Sequence, residues 1–149
     1  LELFRMARRG ISLVPRQGRA SYIHVDDLCA ALLTLAAGPA GAGQTFEPDD
    51  GHPGGYAHPQ FARLIGTAVG QEQRVLPIPD IGLQIAAIFN TVAAAFTDGP
   101  PKLSLDRARY FAHPDWVSRG PQIPGWTPKI DAATGLAATA DWYRAADWL

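Results

Sequence analysis

The chain has 149 residues and a mass of 16.0 kDa, enough for one compact domain with its own core and too few for two. With 47% apolar and 18% charged residues, 15 Gly, 13 Pro and a net charge of −1, it is neither a disordered nor a collagen-like chain, and no global field draws it to nucleic acid. No apolar run reaches the roughly 18 residues of a membrane span, no leader pattern opens the sequence, and the single Cys29 rules out an internal disulfide or a cysteine zinc site, which together point to a soluble, cytoplasmic protein.

The first twenty residues hold Arg5, Arg8, Arg9, Arg16 and Arg19 against Glu2 alone, whereas residues 21–50 carry five acids and no base. Leu1–Arg9 reads as a helix with Leu1, Phe4 and Ala7 on one side and Gly10 as its stop. Arg8 and Arg9 then complement the helix dipole. Ile11–Pro15 and Ser21–Val25 read as short strands. Asp26 or Asp27 caps a helix whose buried face is Leu28, Ala31, Leu32 and Leu35, and Gly38-Pro39 ends it. Gln44–Pro48 is expected as a short strand and an exposed sheet edge, so poor stability or self-association as a homo-oligomer is expected. Asp49–Pro59 reads as a loop.

Gln60–Val69 follows as a helix with Phe61, Leu64, Ile65 and Ala68 inward and Gly70 as its end. Arg74–Pro79 is a strand with its prolines near the end. Asp80–Phe96 is apolar nearly all round, which asks for a cover: core or interface, or else a lid over an apolar substrate. Asp98–Pro101 is a turn, and Ser104 caps a helix to about Ala112. His113–Lys129 is irregular and proline-rich, with Trp116 and Trp126 as anchors whose indole N–H groups find carbonyls. Asp131 caps the last helix, with Leu136, Ala140 and Tyr143 on one face, and Trp142, Tyr143 and Trp148 are expected to hold it down.

Complete catalytic sets are missing. No glycine-rich loop runs from strand into helix, and no serine sits in a G-x-S-x-G elbow. Ser21 and His24 lie three apart in an expected strand, where they face opposite sides. Asp49, Asp50, His52 and His58 cluster in one loop but match no zinc-ligand spacing, so turn chemistry explains them. Cys29 reads as a small core residue. His24 reads as a half-buried histidine beside Ile23 and Val25.

Ser21-Tyr-Ile-His-Val-Asp-Asp-Leu, leading into an Ala/Leu helix, resembles a segment of the extended short-chain dehydrogenases/reductases, the NAD-dependent epimerase/dehydratase family. Tyr56–Gly70, Val75–Pro79, Pro100–Trp116, Gly125-Trp-Thr-Pro and Leu136–Leu149 resemble further pieces in family order. The resemblance covers only that family's C-terminal part. It implies an α/β fold: a helix-rich substrate domain of a Rossmann-type dehydrogenase with a few short strands, forming a single domain over 1–149, its Rossmann half lying outside this chain.

In that family a Tyr-x-x-x-Lys pair and a nicotinamide carry the chemistry. Here Lys102 and Lys129 follow Asp98 and Gly125 at that spacing, so the pair is absent. The resemblance therefore implies NAD or NADP in the parent protein and no cofactor for this chain alone. The implied function is the substrate-binding portion of an NAD(P)-dependent epimerase, dehydratase or reductase acting on a sugar-like or other hydroxyl/carbonyl substrate. The alternative is a non-catalytic ligand-binding or protein-interaction module. Arg16, Arg19, Tyr22, His24, His113 and Trp116 are the substrate-binding candidates. Ala20 and Ser21 stand where the family's Arg-Asp grip would be, and His113-Pro-Asp-Trp where its second grip would be, which departs from a diphosphate-sugar site. The partners expected are a small-molecule substrate and the Rossmann half, with no nucleic acid and no membrane span.

Overall fold

In a computed structural model the protein is described over residues 1–38, 41–79, 81–82, 110 and 113–149. The described residues form a mixed α/β fold with four helices and two small sheets. In chain order these are α1 (Glu2–Ala7), β1 (Ile11–Pro15), β2 (Arg19–Ala20), α2 (Val25–Ala36), β3 (Tyr56–Ala57), α3 (His58–Val69), β4 (Arg74–Ile78), β5 (Asp115–Trp116) and α4 (Ala132–Ala145). The elements expected over 80–96, 98–101 and 104–112 fall almost wholly outside the described residues.

β1 and β4 pair in parallel, Ile11 opposite Arg74 and Pro15 opposite Ile78. One face of this ribbon turns Ser12 and Val14 inward; Ile11, Leu13 and Leu76 stand on the other, exposed. Ser12 Oγ donates to Gln73 Oε1 at 2.7 Å, and Gln73 Nε2 donates to the Ala7 carbonyl at 2.7 Å, so the buried hydroxyl belongs to a chain linking sheet to helix. In the second sheet β2 lies between β3, antiparallel, and β5, parallel. Phe4, Ala7, Ile65 and Ala140 form the core where α1, α3 and α4 meet, and Tyr143 meets Phe4 edge-on with centroids 5.3 Å apart.

Several local expectations need correction. Ser21–His24 is not a strand: the Ser21 amide still donates to the Trp116 carbonyl of β5, but beyond it Ser21 Oγ donates to Asp49 and the Tyr22 carbonyl accepts from the Asp50 amide, so the segment turns to a loop. Gln44–Pro48 is irregular and forms no edge; Glu47 takes the Ser118 hydroxyl on its carbonyl and the Arg119 amide on its carboxylate. β5 lies inside the segment expected to be irregular. α3 starts at His58, two residues early, because Pro59 suits the first helical turn, and its buried residues are Ala62, Ile65 and Gly66.

α2 is capped by His24, whose Nδ1 accepts from the Asp26 amide at 3.2 Å. Asp27 is not the cap. It is 4% exposed and its Oδ2 accepts the amides of Lys129 and Ile130 at 2.9 and 2.8 Å. The expected inward face holds in part: Ala31 is buried and Leu28 and Leu35 are half-buried, while Leu32 of that face, and Cys29, which was expected in the core, are exposed. At α4 the Asp131 cap is as expected, accepting from Thr134 N at 2.7 Å, an amide bond that also holds the Asp131 carboxyl below its usual range. Of the three aromatics expected to hold α4 down, only Tyr143 does; Trp142 and Trp148 are 56% and 49% exposed. In the 113–129 segment the buried anchor is Ile123, not a tryptophan.

Replacing Asp27 by Ala leaves two part-buried amides without their acceptor and is expected to cost about 2 kcal/mol, against about 1 kcal/mol for a lost helix cap. Urea denaturation of D27A beside the wild type measures it.

Candidate functional site

Two clefts share one wall. Tyr22 stacks on Phe61 with ring centroids 3.7 Å apart and planes 6° from parallel, and both rings line both clefts. α3 supplies Phe61 from the turn that follows β3, and the loop hydrogen-bonded through Asp50 N fixes Tyr22. Burial raises the Tyr22 phenol above its ordinary pKa, with Tyr110 adding to the effect, so the ring is a neutral wall.

The larger cleft, about 430 Å³, is lined by Leu3 and Met6 of α1, Val14 of β1, Phe61 and Ile65 of α3, and Trp116 of β5, among others. No lysine, arginine, aspartate or glutamate is among its described lining residues. His58 is its one ionisable imidazole: burial lowers its pKa, and its Nε2 is buried without a hydrogen-bond partner against Gly18, where a Cβ would come within 2.7 Å. The smaller cleft, about 270 Å³, is more mixed, with His24, Asp50, Asp131 and Thr139 beside Ile23 and Leu136. His24 accepts at Nδ1, so its neutral ring carries the proton on Nε2. Gly135 makes room for that ring; a Cβ there would lie 2.8 Å from His24 Cδ2.

The wall is braced by a carboxylate. Asp50 Oδ2 accepts the Tyr56 hydroxyl at 2.6 Å and the Ala132 amide at 3.0 Å, and Oδ1 accepts the His52 amide. Tyr56 is buried, stacked on His52 at 4.0 Å, and its phenol is pushed well above its ordinary pKa, first by burial and then by donating to Asp50. Gly55 before it has φ +60, and a Cβ would meet the Ala20 carbonyl at 2.8 Å.

The structure brings Tyr22 and His24 together in the smaller cleft and places Tyr22 and Trp116 in the larger one. Arg19 is committed elsewhere: Nε and Nη2 donate to the Gly54 and Gly55 carbonyls, both at 2.6 Å, holding the turn that leads to Tyr56. Arg16 is exposed beyond the end of β1, its amide bonded to the Ile78 carbonyl. His113 is exposed and packs on Trp116, whose indole N–H donates to Tyr110. Sequence reasoning missed Phe61 as a site residue, together with Leu3, Met6 and Val14. Their signal was ordinary core periodicity, which does not separate a cleft wall from a core. Asp49 and Asp50 are spent on hydrogen bonds and His52 stacks on Tyr56, and among the described residues no group of three or more His, Cys, Asp or Glu is placed to hold a metal ion.

No family model matches the chain. Over its whole length it is 30% identical, across 152 aligned positions, to a ceramide reductase of Caulobacter vibrioides, and it covers 47% of that protein. The chain therefore spans about half the length of the curated relative it matches. This overturns the resemblance to the NAD-dependent epimerase/dehydratase family of extended short-chain dehydrogenases, and with it the reading as the substrate portion of an epimerase or dehydratase for a sugar-like substrate. The alternative reading, a non-catalytic module, gains nothing from this match. The matched fragments were short and built from residue types common at strand and helix ends, which is why their order misled. No helix among the described residues is long and apolar enough to cross a membrane.

Because folding favours neutral Tyr56, its stabilisation is complete below the unfolded phenol's pKa of 10.0 and is lost as pH rises beyond it. Tyr56→Phe is expected to flatten that alkaline loss while lowering neutral-pH stability by about 1 kcal/mol, as followed by denaturation at stepped pH.

Proposed function

We propose that this chain is the lipid-holding part of a reductase acting on long-chain lipids of the ceramide class. The observation that carries the reading is the larger cleft, apolar and without a lysine, arginine, aspartate or glutamate among its described lining residues, next to a smaller, more mixed cleft across the Tyr22–Phe61 wall. A ceramide joins hydrocarbon chains to a small amide and hydroxyl head. The hydrocarbon gains free energy from leaving water for the larger cleft. The head finds His24 and Thr139 in the smaller one. A sugar or a diphosphate would find neither cation nor carboxylate in the larger cleft. The relative's printed activity supports the same substrate class.

Reduction also needs a hydride donor, for which we assign NAD or NADP in the whole protein. The described residues do not offer it a pyrophosphate cradle. Gly54 and Gly55 lie ahead of the two-residue β3, and Arg19 holds their carbonyls. The contribution we assign to the described residues is binding: the aromatic wall positions the head, and the apolar cleft excludes water from the chain.

The test is a chain-length series. Turnover or binding by the protein at its natural length should improve as the acyl chain grows and level off once the cleft is filled. Val14→Trp, which occupies the cleft from β1, should cost about tenfold in kcat/KM for long-chain substrate and little for a short-chain analogue. Equal loss for both lengths, or preference for a sugar substrate, would sink the reading.

A further inference from the structure

We propose that α1 and the C-terminal turn after α4 form a patch that seats the protein on an anionic lipid bilayer, beside the mouth of the apolar cleft. Arg5, Arg8 and Arg9 are spaced i, i+3 and i+4, so they share a side of α1 and its closing turn. Arg5 reaches across to the Trp148 carbonyl through Nε at 3.4 Å. Trp148 meets Trp142 edge-on at 5.1 Å, and both indoles stand about half exposed. Two exposed tryptophans edge to edge beside arginines match what a membrane interface selects: an amphipathic ring at headgroup depth and a guanidinium on phosphate.

Charge complementarity favours the bilayer over another occupant. Glu2 is taken by Arg5 at 3.1 Å and Asp141 by Arg144 at 2.6 Å, while among the described residues no carboxylate pairs with Arg8 or Arg9. Asp147 is the remaining acid next to Trp148. α1 also borders the cleft, since Leu3 and Met6 line it and Leu3 is exposed. One short helix thus carries cations outward and the cleft's wall on its other side. The inference rests on the lipid reading above for its purpose and not for its geometry.

The test uses the protein at its natural length with ceramide-free vesicles, one set of phosphatidylcholine and one containing phosphatidylglycerol. Cosedimentation and the tryptophan emission shift report binding. Binding is expected on the anionic vesicles, with a weaker signal on the neutral ones, and it should weaken as salt rises. The R8Q/R9Q pair, at exposed side chains, is expected to fall by about tenfold in partitioning. Trp142→Ser with Trp148→Ser is expected to lose the emission shift. No binding to anionic vesicles, equal binding to both sets, or full binding by R8Q/R9Q would overturn the proposal. So would a wild-type dimer in light scattering that Trp148→Ser dissolves, since the patch would then belong to a second copy. The chain-length series above uses soluble or detergent-held substrate, so its outcome is separate from this one.

Discussion

Two carboxylates hold the molecule's halves together. Asp27, in the first turn of α2, takes the amides of Lys129 and Ile130, and Asp50, in the loop after α2, takes the amide of Ala132. Lys129 and Ile130 lead into the Asp131 cap of α4, and Ala132 is its first residue, whose amide has no helical partner. The carboxylates thus satisfy a helix start from outside the helix, and a buried charge is tolerable at Asp27 because two N–H groups solvate it. Remove these bonds and α4 loses its attachment to α2, Gly135 no longer seats His24, and the smaller cleft loses one side.

The larger cleft follows from a different constraint. The helical core is built from small residues, Ala7 and Ala140, around Phe4 and Ile65. Small residues let α1, α3 and α4 approach closely, but they leave the bulkier Leu3, Met6, Val14 and Phe61 on the side toward the sheets, where they enclose space without filling it. The Tyr22–Phe61 stack then stands between that space and the smaller, more mixed cleft. That division is the feature on which the proposed lipid reading rests. The exposed Ile11, Leu13 and Leu76 on the ribbon, and Val25, Leu32 and Leu33 on α2, are apolar surface that the described residues leave open to solvent.

Arg19 shows how an apparent ligand grip became a structural strut. In sequence it sits near aromatic and histidine residues, and an arginine there invites a phosphate. In the fold its donors hold two glycine carbonyls, shaping the turn that delivers Tyr56 to Asp50. The epimerase/dehydratase expectation fails in a similar way. Short motifs in the right order described ordinary strand and helix ends, while the relative that aligns over the whole chain is named for a lipid reductase.

The sequence by itself determined what depends on neighbours a few residues away. The strand Ile11–Pro15, the body of α3 with its left-handed Gly70 end, the strand from Arg74 and the Asp131 cap were all legible, because β-branched runs, helical spacing, glycine and caps act locally. Tyr22, His24 and Trp116 entered as candidates through the family resemblance, and the fold places them on cleft walls. Only the tertiary structure decided the rest. Asp27 looked like a cap until partners 102 and 103 residues away claimed it, and on the same helix Ala31 is buried as expected while Leu32 is left exposed. Phe61 became a cleft wall through its stack on Tyr22, 39 positions earlier by number. A hydrogen bond or ring contact between distant residues leaves no periodic trace in sequence, so the identity of the cleft had to wait for the chain to close on itself.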